Sequence, residues 1–477
     1  MIRKIINNQF FLPSLLILIA VFIILLIYIK YNISQTNTDD KVIDVIDLQE
    51  IIERGELCAT LRCNSTDYYI LDGNPYGFQY EMIRDFAEFL NLYLNITVVN
   101  DLHESVNLLK NKKCDIVCAN ITIVKNRFGS ALTFTKPYAK THQVLVQHKN
   151  NPSGLIKKKD DFEGKTIYIP SKTIFKRIIK GNTKELINKP YIVEVPYVGS
   201  EYLIDAVSEG IISYTVSNYN LARYYNSYYK NLDLSILLTP QLPLGWAVRT
   251  ESKELLKTLN SWFDEYLKTK EFEYLYYRYF RRNQPVRKQG SEYFSLKKGK
   301  ISCYDEVIKK YSKIVNLDWR LISALIYEES QFNHDTVSPK GAYGIMQLIP
   351  ETADFLGVNE GSTSEEHIKA GVKYLKFIDK SFKGAIPDKN ERIKFVIASY
   401  NLGPGHVWDA IKLSGKYKKN PKIWFNNVEY YLIAKSQYEY YTDEVVKHGY
   451  CQGKSAAEFV RKVLSRYNHY KNLFPAE

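Results

Sequence analysis

The strongest constraint on this chain is an uncharged apolar run near its start. Residues 10–29 read FFLPSLLILIAVFIILLIYI and contain no charged side chain. At about 1.5 Å per residue, a helix of this length crosses a bilayer core of roughly 30 Å. Arg3 and Lys4 precede the run, and a long polar segment follows it. This pattern favours a cytoplasmic N-terminus, with the rest of the chain on the other side of the membrane.

The same run distinguishes an anchor from a secretion signal. It is longer than the apolar core of a typical signal peptide, and no small-x-small cleavage site closes it. We therefore interpret residues 1–30 as an uncleaved membrane anchor, with a cleaved signal as the alternative. Residues 31–50 are mostly polar and are interpreted as a tether.

Length and composition limit the remaining possibilities. A chain of 477 residues is too long for one core, so several domains are expected. Its 65 basic and 52 acidic residues give a net charge of +13, but the basic residues are spread along the chain and no nucleic-acid-binding motif is present. No nucleic-acid partner, metal or cofactor is expected. The cysteines lack metal-ligand spacing, and either disulfides or buried thiols fit them: Cys58, Cys63, Cys114, Cys118, Cys303 and Cys451.

Residues 51–285 alternate strand-like and helix-like segments, which predicts an α/β domain. In the predicted helix 80–94, helical spacing places Met82, Phe86, Phe89 and Leu90 on one face. A second amphipathic helix is predicted at 253–269. Strands are predicted at 57–63, 96–100, 164–170 and 212–218.

Several ordered stretches of this region resemble the family 3 extracellular solute-binding proteins. The matching segments are 73–96, 114–128, 132–146 and 161–171. The resemblance implies a two-lobed periplasmic-binding fold, with the second lobe near 147–240 and a small ligand bound between the lobes.

The resemblance also implies ligand-binding residues. Arg127 stands where amino-acid-binding members hold the ligand carboxylate, and a guanidinium suits that task because it offers paired donors. Val124 replaces the expected Thr, and Asn218 replaces the Asp that holds the ligand amine. These departures argue against an ordinary free amino acid as the ligand. A structural arginine is the alternative for Arg127.

Beyond a basic segment at 286–303, interpreted as a linker, residues 304–477 have helical periodicity. Asp318 is a predicted N-cap for the next helix. Within that helix Glu329 continues the apolar stripe of Ile322, Leu325 and Ile326. A carboxyl group in such a position loses hydration, which raises its pKa toward the range that a general acid needs. Periodicity alone does not choose Glu329 over Glu328.

Three motifs in order resolve that choice by resemblance. Glu329-Ser330, Gly344-Ile345-Met346-Gln347 and Ser399-Tyr400-Asn401-Leu402-Gly403 resemble the ES, GLMQ and AYNxG motifs of the family 1 lytic transglycosylases. The resemblance implies an all-α, goose-lysozyme-like domain, called the SLT domain. The order of anchor, binding domain and SLT domain is that of the membrane-bound members.

The resemblance implies a role for each motif residue. Glu329 would be the catalytic acid and base that cleaves the bond between N-acetylmuramic acid and N-acetylglucosamine. The product would be a 1,6-anhydro sugar, formed without water. Phe459 stands where members often carry Tyr, which leaves one substrate contact in doubt. Substrate binding is assigned to Ser330, Gly344, Met346, Gln347, Tyr400 and Asn401.

The resulting hypothesis is a peptidoglycan lyase with a ligand-sensing domain, tethered through residues 10–29 in a bacterial cell envelope. The bulk of the chain would lie in the periplasm, and members of this type are often found at the outer membrane. A wall-derived peptide with a free carboxylate is the expected ligand of the sensing domain. Two alternatives stay open: a solute receptor with a non-catalytic wall-docking domain, and a goose-type lysozyme hydrolase.

Overall fold

A computed structural model describes residues 46–124, 129–196, 198–281, 299–474 and 476. The chain divides into two units, Met1–Asp47 and Leu48–Glu477. Within the described ranges no helix has the length and apolar character needed to cross a membrane. The predicted anchor at 10–29 and most of the linker at 286–303 lie outside these ranges, so both stay predictions.

The first lobe of the α/β region is built on one mixed sheet. Parallel strands β1 (Glu56–Leu61), β4 (Tyr93–Val98) and β5 (Ile116–Thr122) form one side of it. Strand β13 (Leu242–Arg249) returns from the second lobe and pairs antiparallel with β5. The other elements of this lobe are α1 (Leu48–Arg54), β2 (Tyr69–Leu71), β3 (Asn74–Tyr76), α2 (Phe78–Phe89), α3 (Leu102–Lys110), β6 (Leu132–Phe134), β7 (Ala139–Thr141), α7 (Lys253–Tyr266) and α8 (Lys270–Tyr276), followed by a π-helical turn at Tyr277–Arg281.

The second lobe has its own five-stranded sheet, in the order β10-β9-β11-β8-β12. Its strands lie between residues 143 and 233, close to the predicted range of 147–240. The elements are β8 (Gln143–His148), β9 (Thr166–Pro170), α4 (Phe175–Asn182), β10 (Tyr191–Val195), α5 (Ser200–Ser208), β11 (Tyr214–Asn218), α6 (Tyr219–Tyr229) and β12 (Leu232–Asp233). Two separate sheets confirm the two-lobed architecture.

One predicted helix was too long. The helix predicted at 80–94 ends at Phe89, and Tyr93 already begins β4. Asn91 takes a positive φ of 54°, a conformation that cannot continue a right-handed helix. Phe89 was also placed wrongly on the buried face, since it is 61% exposed whereas Met82 and Phe86 are fully buried.

The region after the linker is helical, as expected. Asp318 is the N-cap of α10, because its side chain accepts from the backbone N–H of Arg320. The helices are α9 (Asp305–Val315), α10 (Trp319–Ser330), α11 (Pro350–Leu356), α12 (Ser364–Phe382), α13 (Lys389–Leu402), α14 (Pro404–Lys416), α15 (Glu429–Ala434), α16 (Tyr438–Tyr441) and α17 (Gly453–Leu473), with a π-helical segment at Trp424–Val428.

The last helix, α17, joins the helical region to the first lobe. It packs along α10 and α13 on one side and against β2 and β4 on the other. Ile70 of β2 belongs to the same apolar cluster as the core of the helical region. His469 of α17 shares a 2.7 Å hydrogen bond with the Tyr68 hydroxyl. Burial lowers the pKa of His469 to about 3, so the ring is neutral in this interface.

All six cysteines are free thiols in the structure. Five of them have a raised thiol pKa because burial disfavours the thiolate: Cys58, Cys63, Cys114, Cys118 and Cys451. Of the two possibilities left by the sequence, the structure therefore contains thiols rather than disulfides.

Candidate functional site

Glu329 lies one residue before the end of α10, on the stripe that the sequence predicted. Ile322, Leu325 and Ile326 on that stripe are at most 2% exposed, and Glu329 itself is half-buried. Burial, with a smaller contribution from the charge of Glu328, raises its pKa from 4.5 to about 8. At neutral pH the side chain is therefore mostly protonated, which is the state of a general acid.

Glu328, the other candidate, is held in an ion pair. Its Oε1 accepts a 2.5 Å hydrogen bond from Arg466 Nε of α17. Both side chains are less than 15% exposed. A carboxylate fixed in this way has a structural partner, whereas no hydrogen bond or ion pair to the Glu329 carboxyl occurs in the described part of the chain. Geometry therefore separates two glutamates that periodicity could not.

Ser330 ties the end of α10 to the loop that carries the second motif. Its hydroxyl donates to the Ile345 carbonyl at 2.7 Å. Gln347 lies beyond it with a positive φ of 47°. The two N–H bonds of the Gln347 amide are used by the carbonyls of Thr336 and Gly344, at 2.8 and 2.9 Å. Only its side-chain carbonyl oxygen is left to contact a substrate, and it can only accept.

Gly344 is required by its surroundings. It has φ of +76°, and an added Cβ would stand 2.4 Å from Nδ1 of His367 on α12. A glycine therefore lets the loop at 338–348 lie directly on α12. The residue is buried, so it contributes to a substrate site by setting the path of the loop backbone.

The third motif reaches the loop through Tyr400. Its hydroxyl donates to the Met346 carbonyl at 2.7 Å. Burial first, and the nearby Glu329 charge second, hold the Tyr400 pKa well above its usual range. Tyr400 and Glu329 are thus close enough to interact electrostatically, which brings the first and third motifs together.

Met346, one of the predicted substrate residues, is a core residue in the structure. Met346 is 0% exposed, and its side chain packs in the core against Gly371. Its contribution at the site is the carbonyl that receives Tyr400, rather than an apolar cleft wall. Asn401 is exposed at the end of α13, and Phe459 is half-buried against the core.

Apart from the Glu329 site, a cleft of about 510 Å³ lies between the two lobes of the α/β region. Asn218, at the end of β11, lines it. Arg127 lies outside the described residues, so its predicted role stays a prediction. Sequence reasoning missed Arg62 and Glu201, which also line the cleft. No motif marked them, because they lie on different lobes and meet only in the folded protein.

Arg62, which lines this cleft, is paired with a buried acid. Asp67 is fully buried and pairs with Arg62 at 3.0 Å. It also accepts from the side-chain amide of Asn120 at 2.7 Å. Burial raises the pKa of Glu201, across the cleft, to about 7, although the Arg62 charge opposes that rise. The cleft therefore contains a carboxyl group, that of Glu201, whose charge Arg62 only partly compensates.

The two regions match two known families. The transglycosylase SLT domain matches residues 306–423, and the bacterial extracellular solute-binding proteins of family 3 match residues 63–282. Among solved structures, the P235GK mutant of ArgBP from T. maritima aligns with 49% of this chain and 99% of its own, with 23% identity and a TM-score of 0.43.

Full-length relatives share both regions. The membrane-bound lytic murein transglycosylase F of Desulfosudis oleivorans is 28% identical, over 89% of this chain and 92% of its own. The protein of that name from Aeromonas hydrophila is 28% identical, over 88% of this chain and 83% of its own. The chain thus combines a region that matches the family 3 solute-binding proteins with a later region that matches the SLT domain, and over most of its length it is similar to membrane-bound lytic murein transglycosylase F.

Proposed function

We propose that this protein is a peptidoglycan lytic transglycosylase with Glu329 as its single catalytic acid and base. The observation that carries the proposal is the half-buried Glu329 carboxyl, whose pKa is raised to about 8 beside the SLT motif loop. Relatives with the same two regions bear the name lytic murein transglycosylase. The substrate is the β-1,4 bond between N-acetylmuramic acid and N-acetylglucosamine in the glycan strand.

The reaction needs two proton transfers through the same carboxyl group. Protonated Glu329 donates to the glycosidic oxygen as its bond to C1 of the muramoyl residue breaks. The Glu329 carboxylate then takes the proton of the muramoyl C6 hydroxyl while that oxygen bonds to C1. Glu329 is thereby reprotonated by the C6 hydroxyl proton, while the first proton leaves on the released sugar hydroxyl. No water is consumed, and a 1,6-anhydro end is formed. A raised pKa suits both steps, because the group must be an acid first and a base second.

The surroundings of Glu329 favour a lyase over a hydrolase. A retaining or inverting glycosidase needs a second carboxylate as nucleophile or base. Among the described residues, Glu328 is the one acidic group that acts on the Glu329 pKa, and it is engaged by Arg466. Without a free second carboxylate, attack by the substrate's own hydroxyl is the simpler route.

Other motif residues would hold the strand around Glu329. The free side-chain oxygen of Gln347 would accept from a sugar hydroxyl or N-acetyl N–H. The exposed Asn401 amide could bind the N-acetyl group. Ser330, Gly344, Met346 and Tyr400 would act by fixing the loop through the contacts described above.

The domain layout follows from the same proposal. Residues 304–477 are the catalytic domain and residues 51–285 the sensing domain, joined by a linker at 286–303. The sensing domain would take a small ligand, such as a wall-derived peptide, with Arg127 and Asn218 among its contacts. Residues 1–30 would hold the protein at a membrane of the cell envelope, through the tether at 31–50, with both domains in the periplasm.

Product analysis on purified sacculi tests the catalytic proposal. The full-length protein should release muropeptides with 1,6-anhydro ends, detected by mass spectrometry, and Glu329→Gln should release none. Glu351→Gln, which removes an exposed acid of α11, is the matched control and should retain activity.

Each other outcome selects an alternative. Reducing ends would identify a goose-type lysozyme hydrolase, and an absence of cleavage by the unmodified protein would favour a receptor that only docks on the wall. Anhydro products from Glu329→Gln would refute Glu329 as the acid.

A further inference from the structure

Arg466 of α17 contacts both the glutamate beside the proposed acid and the first lobe. Its Nε pairs with Glu328, and its Nη1 donates to the Gly73 carbonyl at 2.9 Å. Its guanidinium lies over the Tyr327 ring, 3.6 Å from the ring centre. One side chain therefore contacts two residues of the last turn of α10 and joins them to the first lobe.

The backbone at Gly73 packs closely against the helical domain. Gly73 is the tip of the β2–β3 hairpin, and its carbonyl also accepts from the Tyr470 hydroxyl at 2.8 Å. An added Cβ would stand 2.8 Å from a ring carbon of Tyr327 and 3.1 Å from one of Phe332. The hairpin tip thus fills an aromatic slot of the helical domain, and Arg466 closes one side of that slot.

The charges around the two glutamates are few. Glu329 is influenced by Glu328 on its own helix, and it faces Tyr400 of α13. Glu328 faces Arg466 and Tyr470 of α17. On the hairpin side, Asp72 acts on Tyr327 together with Glu328. The cation that directly opposes the Glu328 charge is Arg466, so its presence determines how much negative charge Glu329 experiences.

We propose that Arg466 is a positioning residue for the transglycosylase reaction: it holds Glu328 in an ion pair, keeps the end of α10 in place, and limits the negative charge beside Glu329. The inference rests on the proposed function, because it assumes that Glu329 is the acid. It goes beyond that function by assigning a role to a residue outside the three motifs, and by making the first lobe part of the support of the site.

Charge removal from each side of the pair gives opposite effects. In Arg466→Gln, the Glu328 carboxylate is unpaired and raises the Glu329 pKa further. In Glu328→Gln, the negative charge that raises the Glu329 pKa is removed, so the pKa falls. In the double variant the Glu328 charge is also absent, so the Glu329 pKa falls as it does in Glu328→Gln, and the loss of Arg466 adds no further shift. A nearby charge in a partly buried site shifts a pKa by about 0.5 unit or more.

The test is the pH dependence of kcat for release of 1,6-anhydro muropeptides by the full-length protein. The alkaline limb should move up by about 0.5 pH unit or more in Arg466→Gln and down in Glu328→Gln. In the double variant it should lie where Glu328→Gln places it, because Arg466 acts on Glu329 through Glu328. Arg466→Gln should also lower kcat at the optimum at least about tenfold, since misplacement of a catalytic group has large effects. Arg466→Lys should leave the alkaline limb at the pH of the unmodified protein, because lysine keeps the positive charge. It should recover only part of kcat, because an ammonium group lacks the paired donors of a guanidinium.

Arg461 provides a matched control on the same helix. It also forms an arginine–glutamate pair, with Glu429 at 2.6 Å, and its guanidinium lies over Tyr93 of the first lobe. Arg461→Gln should affect stability while leaving the alkaline limb unchanged. Circular dichroism checks that each variant folds, and Glu328→Gln tests the pair without altering α17.

The outcomes separate this inference from the proposed function. If Glu329→Gln is inactive but the limb does not move in either Arg466→Gln or Glu328→Gln, Arg466 has only a structural role and the inference fails alone. Equal movement in Arg461→Gln would also overturn it. If Glu329→Gln retains activity, the proposed function fails first.

Discussion

Glu329→Gln should stabilise the helical domain at alkaline pH, in addition to abolishing catalysis. The Glu329 pKa rises from the ordinary 4.5 to about 8 on folding, so the folded state favours the neutral acid. Stability from this group is fully present below pH 4.5 and is lost as the pH rises to about 8. Glutamine is neutral at every pH and avoids that loss.

The size of the effect follows from the pKa change. At about 1.4 kcal/mol per pH unit, the rise from 4.5 to about 8 sets an upper limit of about 5 kcal/mol. Solvent reaches part of this half-buried carboxyl, which reduces the expected gain to about 1–3 kcal/mol. For a domain of this size that gain corresponds to an increase of about 3–9 °C in Tm.

Scanning calorimetry of the full-length protein at pH 5, 7 and 9 measures this gain. The Tm difference between Glu329→Gln and the unmodified protein should be near zero at pH 5 and largest at pH 9. Glu328→Gln should instead destabilise the domain. Its free energy of unfolding should fall by about 1–3 kcal/mol, because Arg466 then lacks its partner. A Tm difference that is the same at all three pH values would refute the argument that burial raises the Glu329 pKa.

Two further predictions concern the motif loop, and a third concerns the pH dependence of catalysis. Gly344→Ala should destabilise the domain by about 2 kcal/mol or more, because its Cβ would collide with His367. Gly341→Ala, at a similar φ of +79° but in open space, should destabilise it less. Equal losses of unfolding free energy in urea would show that φ strain alone is responsible. Tyr400→Phe should cost about 1–2 kcal/mol, since the Met346 carbonyl loses its donor, and chemical denaturation should detect that loss. In the unmodified protein, kcat should fall above about pH 8, and a rate that stays constant to pH 10 would contradict the general-acid role.

Local patterns predicted most of the fold. Asp318 precedes an apolar periodic run, and it caps α10 as expected because an N-cap needs only its own next residues. The helix predicted at 80–94 failed at its end for a reason that apolar spacing does not reveal: Leu90 continues the hydrophobic pattern, but the backbone turns at Asn91. Apolar spacing fixes which face is buried more reliably than where a helix ends.

The candidate site was predictable only in part. Glu329 followed from its stripe together with the three motifs, whereas Met346 required the structure, since its exposure depends on how closely the loop approaches Gly371. Arg466 carried no sequence signal at all. It is one of several basic residues in an amphipathic helix, and its partners lie 138 and 393 residues earlier in the chain.

These long separations have a consequence for how the protein matures. Helix α17 follows every other described element, so during synthesis α10 and the β2–β3 hairpin emerge long before the side chains that join them. Contacts of such high sequence separation form late, because chain entropy opposes their closure. The nascent chain therefore passes through a stage in which Glu329 is present but Glu328 has no arginine partner, and a wall-cutting site is completed only when the rest of the molecule is in place.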